Sequence, residues 1–203
     1  VLVFLSASPA AAADRAAYAA EVCRLLDEHA ERNALPVHFF TRLIWRESLF
    51  DPGAVSPKGA EGIAQFMPYT AKERGLEDSF APEQALPASA HLLADHKAAF
   101  GNLGLAAAAY NAGPQAVTDW LAGSRSLPFE TKDYVAFVTG RGVDDWKEPA
   151  SDHTIDPLSQ NEAFQAACVK LVKRQNAPPS MPAVARAKWQ PWGVVLSGGF
   201  SES

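Results

Sequence analysis

Proline and glycine divide this sequence into short segments, and that division is the feature that most restricts its fold. A proline stands at the start of several segments, where its fixed φ suits the first turn of a helix, and a glycine follows several, where it can end one. Apolar residues within the segments recur at helical spacing. The sequence predicts helices over residues 14–33, 36–48, 68–75, 88–100, 103–110, 114–123, 130–139 and 161–175. Alternation typical of strands is almost absent before residue 175, so we expect an all-α domain of short helices around one core.

The composition limits the classes of protein to which this chain can belong. Its 203 residues are 48% hydrophobic and 20% charged, which allows one core and excludes a wholly disordered chain. The net charge of -5 and the pI near 5.5 argue against a nucleic-acid binder, because such proteins carry a basic surface. No apolar run approaches the roughly 20 residues that span a bilayer. We therefore expect a monomer with one folded domain and no transmembrane segment.

The sequence at both ends of the chain predicts segments that lie outside this domain. Residues 1–5 are apolar and residues 6–13 are mostly small, an order typical of the second half of a secretory signal peptide. A flexible alanine-rich terminus is the alternative. We assign residues 1–13 to a partial signal, 14–175 to the domain and 176–190 to a proline-rich linker, and we expect a periplasmic or secreted protein. Because the chain starts with Val rather than Met and stops just after a new pattern begins, we expect the native protein to be longer at both ends.

One carboxylate lies on an apolar helix stripe. In the predicted helix 36–48, Glu47 occupies position i+7 of a stripe that starts at Phe40 and has apolar residues at i+3 and i+4. It also lies in the last turn, where the helix dipole is negative. Desolvation and the dipole both disfavour the anion and should raise the pKa of Glu47, as a general acid requires. A glutamate at the rim of the core, with its carboxylate in water, is the alternative.

A glycine-rich loop follows this helix and carries side chains suited to a sugar. Residues 56–68 contain glycines that allow tight turns and close approach of the backbone. Gln65 offers an amide that both donates and accepts, while Phe66 and Met67 offer apolar surface. This mixture matches the hydroxyl edges and apolar faces of a sugar. Taken alone, the segment fits an ordinary folded loop as well.

A third segment places two polar side chains at a helix break. Residues 106–109 are alanines, which let a helix pass close to its neighbours, and Tyr110 and Asn111 follow immediately. At a break, both side chains can project into a cleft. An ordinary helix C-cap, with Tyr110 in the core, is the alternative.

Together these segments resemble the soluble lytic transglycosylases with the goose-type-lysozyme-like fold. The matching motifs are residues 47–52, 56–60, 62–68, 109–113 and 127–135, and the resemblance covers about residues 34–140. It implies a lysozyme-like, multi-helix domain with a glycan-binding cleft. Two departures are Ala64, where many members carry Met, and Pro114, where others often have a polar residue. Neither position touches a proposed catalytic group, so we expect activity to be retained.

The resemblance implies a role for each matching residue. Glu47 is the catalytic acid/base and Ser56 is the serine near it. The other residues expected to bind the glycan are Gln65, Phe66, Met67, Tyr110, Asn111, Glu130 and Tyr134. The partner is the glycan strand of peptidoglycan, and no nucleic acid is expected.

The implied reaction cleaves the β-1,4 bond between MurNAc and GlcNAc and forms 1,6-anhydroMurNAc. Glu47 protonates the glycosidic oxygen and then, as a base, assists attack of the muramic C6 hydroxyl on C1. Ordinary glycosidases use two carboxylates, but here the nucleophile lies within the substrate. Lysozyme-type hydrolysis is the alternative if Asp51, Glu61 or Glu130 lies near Glu47. A non-catalytic glycan-binding module is a third alternative, which the intact Glu47 disfavours.

The cysteines, histidines and tail complete the expectations. Cys23 and Cys168 lie on the apolar faces of the first and last predicted helices, so in an exported chain we expect a disulfide between them; two buried free thiols are the alternative. The five histidines show no metal-ligand spacing, so we expect no metal and no cofactor. Residues 191–203 faintly resemble the first strand of a SPOR domain, a small glycan-binding module; a disordered tail is the alternative.

Overall fold

The fold is helical throughout the residues that the structure describes. It is a computed structural model that describes residues 9–148, 150–151 and 153–174, with side chains from residue 14 onward. The helices in this part are α1 (Pro9–Arg32), α2 (Val37–Ser48), α3 (Pro68–Glu73), α4 (Pro82–Phe100), α5 (Leu103–Ala112), α6 (Pro114–Leu121), α7 (Phe129–Thr139), a 3₁₀-helix (Val143–Trp146) and α8 (Phe164–Lys173). Within the same part, β pairing is limited to two isolated bridges in the loop before α3. The predicted all-α class is confirmed.

Helix α5 lies at the centre of the domain. Its residues from Leu103 to Ala109 are all buried, and it packs against α4, α6, α7 and the 3₁₀-helix. Its small side chains are needed there, since a Cβ added at Gly104 would lie 2.0 Å from Cγ of Trp146. Asn102 caps the helix, because its side chain accepts a hydrogen bond from the amide of Leu105 at 2.9 Å. The alanine-rich sequence therefore reflects close packing on every side of one central helix.

Helices α1 and α8 pack against each other at the two ends of the described chain. A disulfide joins Cys23 in α1 to Cys168 in α8, and both residues are fully buried. The predicted bridge is present, and the alternative of two free thiols is wrong. Because 145 positions separate the cysteines, this bond closes a loop that contains most of the domain.

Several helix boundaries differ from those predicted. Helix α1 begins at Pro9, so Asp14 lies inside it rather than at its N-cap, since the alanines that precede Asp14 are the strongest helix formers. Helix α4 begins at Pro82 rather than residue 88 and contains Pro87 in its interior, where a proline has no N–H to donate to the carbonyl of Glu83. Helix α8 begins at Phe164, three residues later than expected.

Only some of the predicted segment limits fall within the described residues. The proposed end of the signal, after residue 13, falls within α1, and the assignment of residues 1–13 to a signal stays a prediction. Residues 1–8, the predicted linker at 176–190 and the SPOR-like segment at 191–203 lie outside the described residues. Among the helices that are described, none has both the length and the apolar character needed to cross a membrane.

Candidate active site

Glu47 is placed at the end of α2, where the chain turns sharply. The next residue, Ser48, ends the helix, and Leu49 and Phe50 adopt left-handed φ values of 57° and 63°. The amide of Leu49 donates to the carbonyl of Trp45 at 2.8 Å and completes the last turn. The apolar residues of the same stripe are fully buried, whereas Glu47 is half-buried and lines a cleft. The helix register therefore carries the carboxyl group from the core to the cleft wall.

The surroundings of Glu47 shift its protonation toward neutral pH. Burial is the main cause and raises the pKa of Glu47 from 4.5 to about 7, and repulsion from Glu130 acts in the same direction. The hydrogen bond from Tyr134 and the charge of Arg46 act in the opposite direction. Because desolvation outweighs these two contacts, a large fraction of Glu47 stays protonated near neutral pH. A carboxylic acid in that state can serve as a general acid.

Tyr134 of α7 binds the carboxyl group directly. Its hydroxyl donates to Oε1 of Glu47 at 2.5 Å, and the ring is buried. Burial, together with the charge of Glu47, raises the pKa of Tyr134 well above its ordinary value, so the hydroxyl keeps its proton and remains a donor. One oxygen of Glu47 is therefore held by α7, and the other is left for the cleft.

A second contact fixes α7 against α2. The Arg46 guanidinium donates to Oδ2 of Asp133 at 2.8 Å and lies over the ring of Phe137, 5.4 Å from its centroid. The Phe137 ring also stacks on Trp45 at a centroid distance of 5.1 Å. These contacts flank Glu47 and Tyr134 in both helices, so they set the distance between the two side chains.

The loop after α2 is anchored to the end of that helix. Ser48 donates through its hydroxyl to the carbonyl of Ile63 at 2.7 Å, and the amide of Gly62 donates to the carbonyl of Ala54 at 2.8 Å. Gly62 has φ 72°, and a Cβ there would lie 1.7 Å from the carbonyl oxygen of Ser79. Only glycine fits this position without moving the backbone. The loop is thus folded tightly between α2 and the segment before α4.

Two polar side chains of this loop face the cleft. The amide of Ser56 donates to the carbonyl of Ala60 at 2.8 Å across the turn, and the Ser56 hydroxyl accepts from the Ala60 amide at 2.9 Å. Gln65 has a left-handed φ of 53°, and its amide nitrogen donates to the carbonyls of Gly62 at 2.9 Å and Ala54 at 3.2 Å. In the described part of the chain, its amide oxygen accepts no hydrogen bond, so that oxygen remains for a ligand.

The end of α5 brings Tyr110 and Asn111 to the same cleft. The Tyr110 hydroxyl donates to the carbonyl of Ala64 at 2.7 Å and lies 3.0 Å from the hydroxyl of Ser89, while burial, together with the charge of Glu47, raises the pKa of Tyr110. Asn111 accepts a hydrogen bond from Thr131 at 2.8 Å through its side-chain oxygen. Tyr110 packs against the core and also lines the cleft, so elements of both sequence-based alternatives are present.

The cleft beside Glu47 has a volume of about 150 Å³. Its lining residues are Glu47, Ser56, Lys58, Ala60, Gln65, Met67, Tyr110, Asn111 and Glu130. Most of the residues predicted from the sequence are therefore brought together. Tyr134 lies behind Glu47 and contacts it rather than lining the cleft.

Phe66 is the predicted residue that the structure places elsewhere. Its side chain is only 2% exposed and belongs to the hydrophobic core. The backbone of Phe66 pairs with that of Glu61, with N–O distances of 2.9 and 3.0 Å. This extended pairing turns Phe66 inward and its neighbour Met67, which is 43% exposed, outward. The prediction of Phe66 as a side chain that contacts the glycan is therefore corrected.

Two cleft residues were not singled out from the sequence. Lys58 and Ala60 line the cleft within the motif at 56–60, and their place in that motif was the only sequence signal. Of the three carboxylates considered as partners for Glu47, Glu130 lines the cleft. Asp51 accepts from the amide of Gly53 at 2.9 Å and Glu61 lines a separate groove.

The described residues contain no group of three His, Cys, Asp or Glu side chains arranged to hold a metal ion. The expectation of no metal and no cofactor stays a prediction. The arrangement around Glu47 supplies acid, base and hydrogen-bonding groups from the chain itself.

A family model for the transglycosylase SLT domain matches residues 24–132, which is more than half of the chain. Membrane-bound lytic murein transglycosylase F 2 of Alkalilimnicola ehrlichii is 32% identical over 137 residues, a match that covers 64% of this chain and 27% of that protein. The soluble lytic murein transglycosylase of Salmonella typhimurium is 36% identical over 115 residues, covering 46% of this chain and 18% of the relative. The chain thus spans about a quarter or less of the length of these two relatives.

Two solved structures share the fold. An inactive mutant of lytic transglycosylase Slt from Pseudomonas aeruginosa matches with a TM-score of 0.50 and 29% identity, over 57% of this chain and 22% of that one. The 70 kDa soluble lytic transglycosylase of Escherichia coli matches with a TM-score of 0.51 and 27% identity, over 63% of this chain and 25% of that one. The predicted lysozyme-like, multi-helix fold is confirmed by these similarities.

Proposed function

The chain belongs to the transglycosylase SLT domain family, and we propose that it is a peptidoglycan lytic transglycosylase with Glu47 as its single acid/base. The bond cleaved is the β-1,4 linkage between MurNAc and GlcNAc, and the product carries a 1,6-anhydroMurNAc end. The observation that carries the proposal is a carboxyl group in a cleft, bound by Tyr134 and with its pKa raised to about 7 by burial.

In the first step, Glu47 acts as the acid. Because Tyr134 donates to Oε1, the proton that Glu47 transfers is on Oε2. That proton moves to the glycosidic oxygen while the bond from this oxygen to C1 of MurNAc breaks, which leaves positive charge on the ring as in an oxocarbenium ion. The hydrogen bond from Tyr134 then stabilises the carboxylate that forms.

In the second step, the same carboxylate acts as the base. It removes the proton of the C6 hydroxyl of MurNAc while the C6 oxygen bonds to C1 and closes the anhydro ring. Glu47 regains its proton, so no water is consumed and the acid is ready for the next cycle. A pKa near 7 suits both directions of transfer, because neither protonation state is strongly disfavoured.

The rest of the cleft offers both surfaces that a sugar needs. Ser56, Gln65 and Asn111 supply polar groups for hydroxyl and N-acetyl edges. Met67 is 43% exposed and supplies an apolar surface for a sugar face. We place the glycan across these residues, with the bond to be cleaved beside Glu47.

Lys58 adds a positive charge to this cleft. It is exposed and, among the described residues, forms no ion pair. The charges that act on Glu47 are those of Arg46 and Glu130. In peptidoglycan, the lactyl group of MurNAc is joined to a peptide stem whose carboxylates carry negative charge. We propose that Lys58 pairs with a carboxylate of this stem.

Glu130 supports a second candidate function, the hydrolytic muramidase. It lines the same cleft, and its charge raises the pKa of Glu47. A second carboxylate on the opposite face of the sugar ring could activate a water molecule, as in inverting glycosidases. The two reactions differ in their products, which separates them by experiment.

The test is digestion of purified peptidoglycan followed by mass spectrometry. We expect anhydro-muropeptides from the wild type and a rate at least about 10³-fold lower for Glu47→Gln, with an unchanged circular dichroism spectrum. Reducing ends one water heavier would replace the transglycosylase assignment with the muramidase. Binding without any released product would identify a glycan-binding module, and full activity of Glu47→Gln would exclude Glu47 as the acid/base.

We further propose that the protein acts in the periplasm or after secretion. Its proposed substrate lies outside the cytoplasmic membrane, and the Cys23–Cys168 disulfide is of the kind that forms in oxidising compartments. Detection of the oxidised protein in a periplasmic or culture-medium fraction tests this assignment, and its retention with reduced thiols in the cytoplasm would contradict it.

A further inference from the structure

The turn after Glu47 is held by a residue that precedes the segment matched by the family model. That match begins at residue 24, and Tyr18 lies before it in α1. The Tyr18 hydroxyl donates to the carbonyl oxygen of Phe50 at 2.8 Å, across 32 positions of sequence. Tyr18 is half-buried and packs against the hydrophobic core. Helix α1 therefore contacts the catalytic turn by a defined hydrogen bond.

This turn has an unusual backbone conformation. Leu49 and Phe50 are successive non-glycine residues with left-handed φ values of 57° and 63°. Residues with a Cβ adopt this conformation when surrounding contacts hold them in it. The Phe50 side chain is fully buried, and the amide of Asp51 donates to the carbonyl of Ser48 at 3.0 Å. The hydrogen bond from Tyr18 also restrains the carbonyl of Phe50, the second of these left-handed residues.

We infer that Tyr18 is a positioning residue for Glu47, because it fixes the Phe50 carbonyl and thereby holds the left-handed turn that aims the carboxyl group into the cleft. This inference rests on the proposed role of Glu47. Only two residues separate Glu47 from Phe50, so a relaxed turn would displace the last turn of α2. Displacement by about 1 Å from a reactive geometry is enough to slow an enzyme substantially.

The charge environment of Glu47 gives the inference a distinct signature. The groups that act on Glu47 are Arg46 of α2 and Glu130 and Tyr134 of α7. The charge of Glu47 acts in turn on Tyr110 of α5 and on Tyr134, and Asp51 lies beside Tyr18 itself. Burial is the largest cause of the raised pKa of Glu47. A relaxed turn would hydrate the carboxyl group and lower its pKa. The acid form would then be lost at lower pH, and the alkaline limb of the pH profile would move downward.

The test compares Tyr18→Phe with a matched control, Lys97→Met. Lys97 donates to the carbonyl of Ala34 at 3.0 Å, and Ala34 is also a left-handed non-glycine residue, with φ 50°. The control removes the same type of contact from the turn before α2, at the end of that helix away from Glu47. Rates of anhydro-muropeptide release are measured across pH, at a temperature at which thermal melts show all proteins to be folded.

For Tyr18→Phe we expect kcat to fall about tenfold, KM to stay within about twofold, and the alkaline limb to move to lower pH. Lys97→Met should keep the kcat and pH profile of the wild type. A Tyr18→Phe protein with unchanged kcat, or with an unmoved alkaline limb, would overturn the inference and leave Tyr18 a structural residue. An inactive wild type would instead contradict the proposed function.

If Tyr18→Phe does not fold, two unnatural side chains at position 18 replace it. p-Aminophenylalanine keeps an N–H donor for the Phe50 carbonyl, and p-methylphenylalanine fills the same volume without a donor. Only the variant with the donor should retain the kcat and pH profile of the wild type. Equal kcat values and pH profiles for the two variants would overturn the inference.

Discussion

At Glu47, two opposing effects on one carboxyl group decide its protonation state. Loss of hydration favours the neutral acid, whereas the hydrogen bond from Tyr134 and the nearby charge of Arg46 favour the carboxylate. Desolvation is the larger effect, and it leaves the pKa at about 7 rather than 4.5. In the proposed mechanism the protonated form of Glu47 is the active one, so kcat of the wild type should fall as pH rises above about 7.

Tyr134→Phe should move this alkaline limb upward. The substitution removes a hydrogen bond that stabilises the carboxylate, so the pKa of Glu47 rises further and the acid form persists to higher pH. A hydrogen bond to a charged group is worth about 1.5–3 kcal/mol, and water at the half-buried carboxylate compensates for part of its loss. We therefore expect a shift of about one pH unit. The pH dependence of kcat for the two proteins measures the shift, and a downward shift would contradict the role given to Tyr134.

Lys58→Gln should weaken binding of peptide-bearing glycan without slowing the chemical step. We expect KM to rise about fivefold with kcat unchanged, as for loss of one exposed ion pair. Lys72→Gln is the matched control, because Lys72 is exposed on α3 and lines a different groove. KM values on intact strands and on strands stripped of peptide by an amidase show which carboxylate is bound. Equal KM values for both variants on both substrates would reject Lys58 as a substrate contact.

At the scale of elements, the site depends on three segments that meet at one point. The end of α2 supplies Glu47, the end of α5 supplies Tyr110 and Asn111, and α7 supplies Tyr134 and Glu130. The loop before α3 closes the cleft from the remaining side and is hydrogen-bonded both to α2, through Ser48, and to α5, through Tyr110. The position of this loop is therefore part of the geometry of the cleft.

Gly62→Ala should test how tightly that loop is held. The new Cβ would overlap the Ser79 carbonyl at 1.7 Å and would also sit on a backbone with φ 72°. We expect the free energy of unfolding to fall by about 3 kcal/mol or more. Gly59→Ala is the control, because Gly59 has a similar φ of 83° but open space around it, so a loss of about 1 kcal/mol is expected. Urea unfolding measures the free energy of unfolding of both variants. Equal losses of that free energy would show that the loop moves easily to make room for the new Cβ.

At the scale of the whole molecule, the disulfide ties the two ends of the described chain together. It joins α1 to α8, and among the described side chains neither helix contributes to the lining of the cleft. A bond that closes a loop of 145 positions stabilises the fold mainly by restricting the unfolded chain. Its contribution should therefore appear in stability rather than in catalysis.

Replacement of both Cys23 and Cys168 by Ala should lower the free energy of unfolding by about 2–5 kcal/mol. In the folded protein we expect kcat to stay within about twofold of the wild type, because the cleft residues keep their contacts. Thermal melts and anhydro-muropeptide release, measured on the same samples, separate the two effects. An unchanged melting temperature, or a loss of kcat below the melting transition, would contradict this account.

The sequence by itself determined the helical class, the Cys23–Cys168 pair and the placement of Glu47 on an apolar stripe. Periodicity and the position of proline and glycine are local properties, and for this reason most helices lie within a few residues of their predicted limits. The start of α1 was missed because the alanines before Asp14 continue the helix. The cleft motifs were assigned through the resemblance to a known family, since each segment taken alone also fits an ordinary loop or helix cap.

Only the tertiary structure decided which side chains reach the cleft and how the acid is controlled. Phe66 and Met67 are neighbours in sequence, yet backbone pairing with Glu61 turns one into the core and the other into the cleft. The bond from Tyr134 to Glu47 joins residues 87 positions apart, and the bond from Tyr18 to Phe50 joins residues 32 apart. Contacts of this kind depend on how helices pack, and burial, which governs the pKa of Glu47, exists only once they have packed.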